Sequence, residues 1–271
     1  LRFDFVTIFP GMFAPLLAEG VIARGIKAGL LDVRVWDLRD YATDKHRSTD
    51  DEAYGGGPGM VMLAEPVLRA VEAIITTPKT VVAGAPPAHP AEAAGTTEAL
   101  RSLPHVVMTS PQGRVFDQSL AKELLAREHV VFLCGRYEGF DERVREALHP
   151  EEISIGDFVV SGGELPAMLM ADAVGRLVEG VVGNSGSVEE DSFYRGLLDH
   201  PHYTRPLELR GMKVPEVLMS GHHEKIRKWR KEMALRATLA KRPDLLEGAE
   251  LEGAELDEEA REMIRRIQNS E

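Results

Sequence analysis

The chain has 271 residues, 44% of them apolar, and a formal net charge of −12, enough to bury one large core or two smaller ones without staples. Its one cysteine, Cys134, excludes a disulfide within the chain and sits in an apolar run, where a buried, inert thiol is expected. No run approaches the apolar length of a membrane span, and residues 1–10 lack the basic and apolar regions of a secretory signal, so a cytoplasmic location is expected.

Taken in chain order, residues 2–9 and 31–38 alternate as strands on either side of an amphipathic helix from about Met12 to Ala28, which makes one βαβ unit. The stretch 77–103, with AGAPPAHPAEAAG, has no sustained apolar period and reads as a flexible insertion. Short apolar runs at 106–109 and 130–134 look like central parallel strands, separated by a helix over 117–127. A third apolar stretch, 158–161, leads into Gly162 and Gly163, after which 164–177 carries helical periodicity. Strands alternating with helices predict an α/β layer. GNSGSVEED at 183–191 reads as a linker, so an α/β part over 1–182, a linker over 183–195 and a helical part over 196–271 are expected.

An acidic chain is at first sight a poor partner for RNA, because Lys and Arg on phosphates supply most sequence-independent affinity. The distribution of charge changes that view. Lys225, Arg227, Lys228, Arg230, Lys231, Arg236, Lys241 and Arg242 fall in one stretch, predicted as a helix over 224–239, with only Glu224 and Glu232 among them. An acidic block follows from Asp244 to Glu259, includes the tandem LEGAE repeat at 246–255, and reads as solvated surface. A final helix is expected over 256–267.

Neither a G-x-G-x-x-G after the first strand nor a P-loop is present, which counts against a nicotinamide dehydrogenase and a P-loop nucleotidase. Three glycine-bearing loops, SPQG at 110–113, GRYEG at 135–139 and SGGE at 161–164, each follow a predicted strand. Ligands of open α/β sheets bind beyond the carboxyl ends of strands, so the three loops are expected to converge on one crevice. Residues 54–60, YGGGPGM, form either a tight loop or a place of close backbone approach to a ligand. Taken singly, Arg176 reads as a cation complementing a helix C-terminus and Asp191 as a helix cap or solvated charge. His200, His202, His222 and His223 raise the question of a metal, but H-P-H and H-H do not match the usual zinc spacings.

Together these strings resemble one family. YGGGPGM at 54–60, SPQG at 110–113, CGRYEG with FDERV at 134–144, SIGDFVVSGGELPAM at 154–168, EDSF at 190–193, LLDHPHYTRP at 197–206 and VLMSGHH with IRKWR at 217–230 are similar to those of the bacterial tRNA (guanine-N1)-methyltransferases, in family order. The resemblance implies a SPOUT-type α/β parallel sheet with a deep trefoil knot, a small helical C-terminal domain and a homodimer whose active site is shared between subunits. It implies S-adenosylmethionine contacts at Pro111, Gly135, Tyr137, Glu138, Ile155, Gly156, Asp157, Phe158, Val159, Val160, Gly162, Gly163 and Pro166. It implies Asp191 as general base and Arg176 as stabiliser of charge on guanine O6, acting on the guanine at position 37 beside the anticodon. RNA contacts are implied at His46, Arg47, Asp50 and Gly59, with Lys225, Arg227, Lys228 and Arg230 on the anticodon stem. A divalent cation, Mg²⁺, is implied as well, with Glu138 as its oxygen ligand. The long 77–103 segment, the LEGAE repeat and His200 depart from the family pattern. A related enzyme with another RNA target and a non-enzymatic nucleic-acid-binding protein are the rival readings.

Overall fold

The structure, a computed structural model, describes residues 1–77, 104–183, 188, 190–248 and 257–269. Most of the 77–103 insertion and most of the LEGAE repeat lie outside them. The chain divides into two compact units, Leu1–Gly183 and Asn184–Glu271.

The first unit is built on a five-stranded, all-parallel sheet ordered β2-β1-β6-β5-β7. Its strands are β1 (Arg2–Thr7), β2 (Asp32–Asp37), β5 (His105–Val115), β6 (His129–Leu133) and β7 (Glu151–Ser154). Strand period two sends alternate side chains to opposite faces. On one face Phe3, Phe5, Val107, Val130 and Phe132 pack under α2 (Gly20–Lys27), α4 (Gln118–Leu125) and α6 (Glu164–Gly175). On the other, Val6, Met108, Val131 and Leu133 pack under α3 (Ala64–Thr76) and α5 (Glu142–Leu148). Because both faces are covered, the central stretches 106–108 and 130–133 are continuous apolar runs, each large side chain contributing about 1.5–3 kcal/mol on burial. Cys134 belongs to the first face and is fully buried; burial, and then the nearby Glu164 carboxylate, push its thiol up, so it is inert as expected.

Several elements differ from the sequence reading. The 12–28 helix is broken into a 3-10 turn (Pro10–Phe13), α1 (Ala14–Ala18) and α2, because Glu19 is extended (φ −133°) and Gly20 has φ 79°. β5 does not stop at Thr109: Thr109 and Arg114 both oppose Ile153, so 110–113 is an outward bulge inside one strand. No strand forms at 158–161; the pairing strand is β7, upstream, and Val159 is 89% exposed. A hairpin of β3 (Asp50–Glu52) and β4 (Met60–Met62) has no counterpart in the sequence pattern.

The second unit holds a short hairpin, β8 (Glu208–Leu209) with β9 (Met212–Lys213), followed by α7 (His223–Lys241), α8 (Asp244–Gly248) and α9 (Glu258–Gln268). α7 and α9 pack through Leu235, Ala260 and Ile267, flanked by Leu197, Leu239, Met263 and Ile264. Among the described residues, no helix is long and apolar enough to cross a membrane.

At the amino ends of the strands, Asp4 is fully buried yet fully engaged. Arg2 Nε donates to it at 2.6 Å and Trp36 Nε1 at 2.5 Å, and His129 Nε2 lies 2.5 Å from Oδ2. Removing one partner of a buried ion pair leaves the other charge uncompensated. Asp4→Ala is therefore expected to destabilise the first unit by about 3–5 kcal/mol, read as a lower urea midpoint.

Candidate active site

Among the described residues, a depression of about 720 Å³ is lined by strand starts such as Arg2, His105, His129 and Glu151. It lies at the wrong edge of a parallel sheet for a ligand. At the carboxyl edge, a cleft of about 250 Å³ is lined by all three glycine-bearing loops. Of the expected cofactor residues, Pro111, Gly135, Tyr137, Glu138, Ile155, Gly156, Phe158, Val159, Val160, Gly162, Gly163 and Pro166 line it; Asp157 does not.

The loops are held together by a carboxylate that the sequence reading passes over. Glu164, the first residue of α6, is fully buried and accepts from Thr7 Oγ1 at the end of β1 (2.7 Å) and from Arg136 Nε after β6 (2.9 Å). Arg136 also donates to the Ser161 carbonyl at 3.0 Å and lies 4.6 Å from the centre of the Phe9 ring. One charge pair thereby ties three loop ends into one rim. Its only sequence signal is polarity at the first turn of an otherwise apolar helix.

The glycines of the three loops stand where neighbouring segments approach closely. A Cβ on Gly163 would meet Gly135 N at 2.8 Å and the Cys134 Cα at 2.9 Å, and one on Gly162 would collide with the Arg136 guanidinium. A Cβ on Gly113 would collide with the Glu152 backbone. Their missing side chains permit loop to pack on loop, and Gly163 N donates to Gly135 O at 2.8 Å across that contact. Gly156, with φ 132°, does need the conformational freedom of glycine.

The β3–β4 hairpin is stitched to the rim. Glu138 N donates to Met60 O at 3.0 Å, Met62 N to Gly139 O at 2.8 Å and Asp141 N to Met62 O at 2.9 Å. Gly59, φ 91°, lies against the Glu138 side chain. The expected RNA-facing residue Gly59 thus borders the cleft. His46 and Arg47 are exposed in the preceding turn, which Asp44 closes by accepting from His46 N at 3.0 Å and Ser48 N at 2.7 Å, while Arg47 pairs with Asp40; half-buried Asp50 begins β3. Backbone amides and the Ser48 hydroxyl hold the Asp44 carboxyl below its usual range.

Arg176 is half-buried as the C-cap residue of α6. Asp191 is half-buried in the second unit, where its carbonyl accepts from Tyr194 N at 3.2 Å and opens a turn. Glu138 is exposed and belongs to no group of three metal-capable side chains among the described residues.

The basic helix is less positive than its own sequence indicates. Arg227 pairs with Glu224 at 2.8 Å and with Glu259 of α9 at 3.1 Å, and Lys231 pairs with Asp257 at 2.6 Å. Lys228 lies 3.8 Å from Glu224, Arg230 lies 3.9 Å from Glu190, and Lys225 is exposed. Part of the acidic block is therefore a water-exposed counter-face to α7. Hydrogen bonds from Arg227 and Lys231 lower the Glu259 carboxyl to about 2.

The fold is an α/β layer with its candidate ligand cleft at the carboxyl edge of a parallel sheet. Residues 1–248 match the family described as tRNA (Guanine-1)-methyltransferase TrmD. Relatives named tRNA (guanine-N(1)-)-methyltransferase include those of Geobacter metallireducens, 48% identical over 93% of this chain and 94% of its own, and Thermotoga petrophila, 48% identical over 93% of both. That of Moorella thermoacetica is 49% identical over 91% of this chain and 90% of its own. The chain belongs to the tRNA (guanine-1)-methyltransferase family. This removes the non-enzymatic and nicotinamide readings.

Gly163→Ala is expected to lower affinity for S-adenosylmethionine, the donor a methyltransferase of this family implies, by about tenfold or more, on the order of 1.4 kcal/mol by calorimetry. Gly11→Ala, whose Cβ would meet nothing within 4 Å, should leave it unchanged.

Proposed function

We propose that this protein transfers a methyl group from S-adenosylmethionine to N1 of the guanine at position 37, beside the anticodon, of transfer RNA in the cytoplasm. The observation that carries the reading is the cleft, in which the family's loop strings meet at the edge where α/β sheets hold ligands. The cleft suits an adenosine: the Ile155 to Val160 backbone, with Pro111 and Pro166, offers amides, carbonyls and apolar faces. The SPOUT trefoil knot belongs to the same reading. It is supported by the close backbone contacts at Gly113 and Gly163, where a Cβ would collide with Glu152 and with Gly135 and Cys134.

The bound donor supplies an electrophilic methyl on a sulfonium. Guanine N1 carries a proton at neutral pH, so its lone pair becomes available only as that proton leaves. Asp191 takes it as general base, and the Arg176 guanidinium stabilises the negative charge that develops on O6. Residues 1–182 serve as the cofactor domain, 183–195 as the linker and 196–271 as the RNA-binding domain. Two protomers share each site, a reading supported by Leu165 and Leu169, apolar and exposed one turn apart on α6. No step is routed through Mg²⁺.

RNA binding by Arg227 and Lys228 is an exchange, because phosphates replace Glu224 and Glu259 on these groups, and at Arg230 a phosphate replaces Glu190, while Lys225 adds an exposed charge. Exposed pairs of this kind are worth only about 0–1 kcal/mol each, so the exchange is cheap. His46, Arg47, Asp50 and Gly59 face the nucleotides around the target.

Incubation with labelled S-adenosylmethionine and unmodified transfer RNA should yield N1-methylguanine at position 37, identified by nucleoside mass spectrometry; product at another atom or position overturns the assignment. Asp191→Ala should cut methyl transfer by roughly 10²–10⁴-fold while donor affinity stays within about twofold. Neutralising Arg227, Lys228 and Arg230 together should flatten the slope of log affinity against log salt by about 0.7–0.9 for each phosphate that is no longer neutralised.

A further inference from the structure

The segment that follows the Asp191 turn brings three metal-capable side chains into one coordination sphere. His200 Nδ1 lies 2.7 Å from Asp199 Oδ1, and His202 Nε2 lies 2.8 Å from Asp199 Oδ2. The two rings are 4.4 Å apart between centres. One ligand atom from each residue lies within 4.8 Å of the others, the one such group among the described residues. We propose that Asp199, His200 and His202 form a binding site for a borderline divalent transition metal of the Zn²⁺ class, unrelated to the methyl-transfer cleft.

The donor set selects the ion. Two imidazole nitrogens and one carboxylate suit Zn²⁺, Co²⁺ or Ni²⁺, whereas Mg²⁺ and Ca²⁺ take oxygen. Three protein ligands leave a fourth position, and here it faces water, because His202 is 68% exposed while His200 is 8% exposed. Zn²⁺ bonds of about 2.0–2.2 Å set tetrahedral ligand atoms roughly 3.3 Å apart. The present separations therefore need to open by about half an ångström, which the exposed His202 ring supplies on its side by rotating outward and a turn of the Asp199 carboxylate supplies toward His200. Binding needs each ring in the tautomer that carries its proton on the other nitrogen, a choice open to neutral imidazole.

The backbone is already held for this purpose. Leu198 N donates to Thr238 Oγ1 of α7 at 3.0 Å, Asp199 N to Ser192 Oγ at 2.9 Å, and His200 N to Asp199 Oδ1 at 2.6 Å. Pro201 fixes its own φ and keeps His200 out of the helical region, so little backbone freedom remains to be lost on coordination. The spacing D-H-x-H escapes a search for conventional zinc motifs because its ligands lie within four residues. A helix or strand would spread them over different faces, but a pinned, proline-bent segment folds them together.

The test uses the full chain without an affinity tag, freed of metal by chelation and titrated with Co²⁺ while the visible absorption is followed, then with Zn²⁺ in competition. Saturable binding of one ion per chain, insensitive to excess Mg²⁺, is the expected result. The exposed His202→Ala should weaken it at least tenfold, as should Asp199→Asn, whereas the double variant His222→Ala/His223→Ala should bind like the parent. Binding that does not saturate, an undiminished affinity in His202→Ala, or loss of the site in the His222/His223 variant each overturns the proposal. Circular dichroism of His202→Ala matching the parent keeps a loss of binding from being a loss of fold.

Discussion

The buried carboxylate of Glu164 is the constraint on which the cleft depends. A charge with no solvent exposure persists only when it is paired and hydrogen-bonded, and Glu164 meets that condition through Thr7 and Arg136. Its two partners come from the ends of different strands, so satisfying one group fixes the relative positions of β1, the loop after β6 and the start of α6. Arg136 extends the tie to Ser161 and to the face of Phe9. The rim of the cleft is thus ordered by electrostatics at its base, leaving Tyr137 on the loop after β6 and Phe158 and Val159 on the loop after β7 exposed for contact.

Packing sets the second constraint. Gly113 and Gly163 stand where backbone from another segment lies directly on them and the space is too small for a methyl group, and Gly162 lies against the Arg136 guanidinium. Such closeness differs in kind from glycine used for a turn, as at Gly156. It makes the cleft intolerant of small changes remote from any ligand, since interiors close-packed to this degree transmit displacement rather than absorb it. The hairpin of β3 and β4 shares the arrangement, being bonded through backbone to residues 138–141, so the loop 54–59 moves with the rim.

The second unit shows how charge counted along a sequence misleads about field. α7 carries the basic residues, but α9 returns an acidic face to it across the apolar contact of Leu235, Ala260 and Ile267. The carboxylates hold the long cationic side chains in place and in one orientation. On the proposed reading, phosphates meet these cations in exchange for weak, water-exposed pairs.

Much of the fold is legible in the chain. The apolar runs at 106–109 and 130–134 announce central parallel strands, because strands covered on both faces must be apolar throughout, and Asp117 and Asp257 stand at helix starts as capping side chains. The family strings place most of the cleft residues, since backbone geometry of that kind is written in glycine and proline at set positions. Other features are not legible. The strand expected at 158–161 fails because apolar residues there are exposed on a loop, and a local pattern cannot distinguish a core run from a surface one. Glu164, Arg136 and Thr7 carry no motif, being separated in sequence and joined only by folding. The same holds for Glu259 on Arg227. By itself the sequence determined the α/β layer and the family, both properties of local pattern and identity. Only the tertiary structure decided which glycines serve packing, which charges are neutralised and which side chains meet, because those depend on distances between residues far apart in the chain.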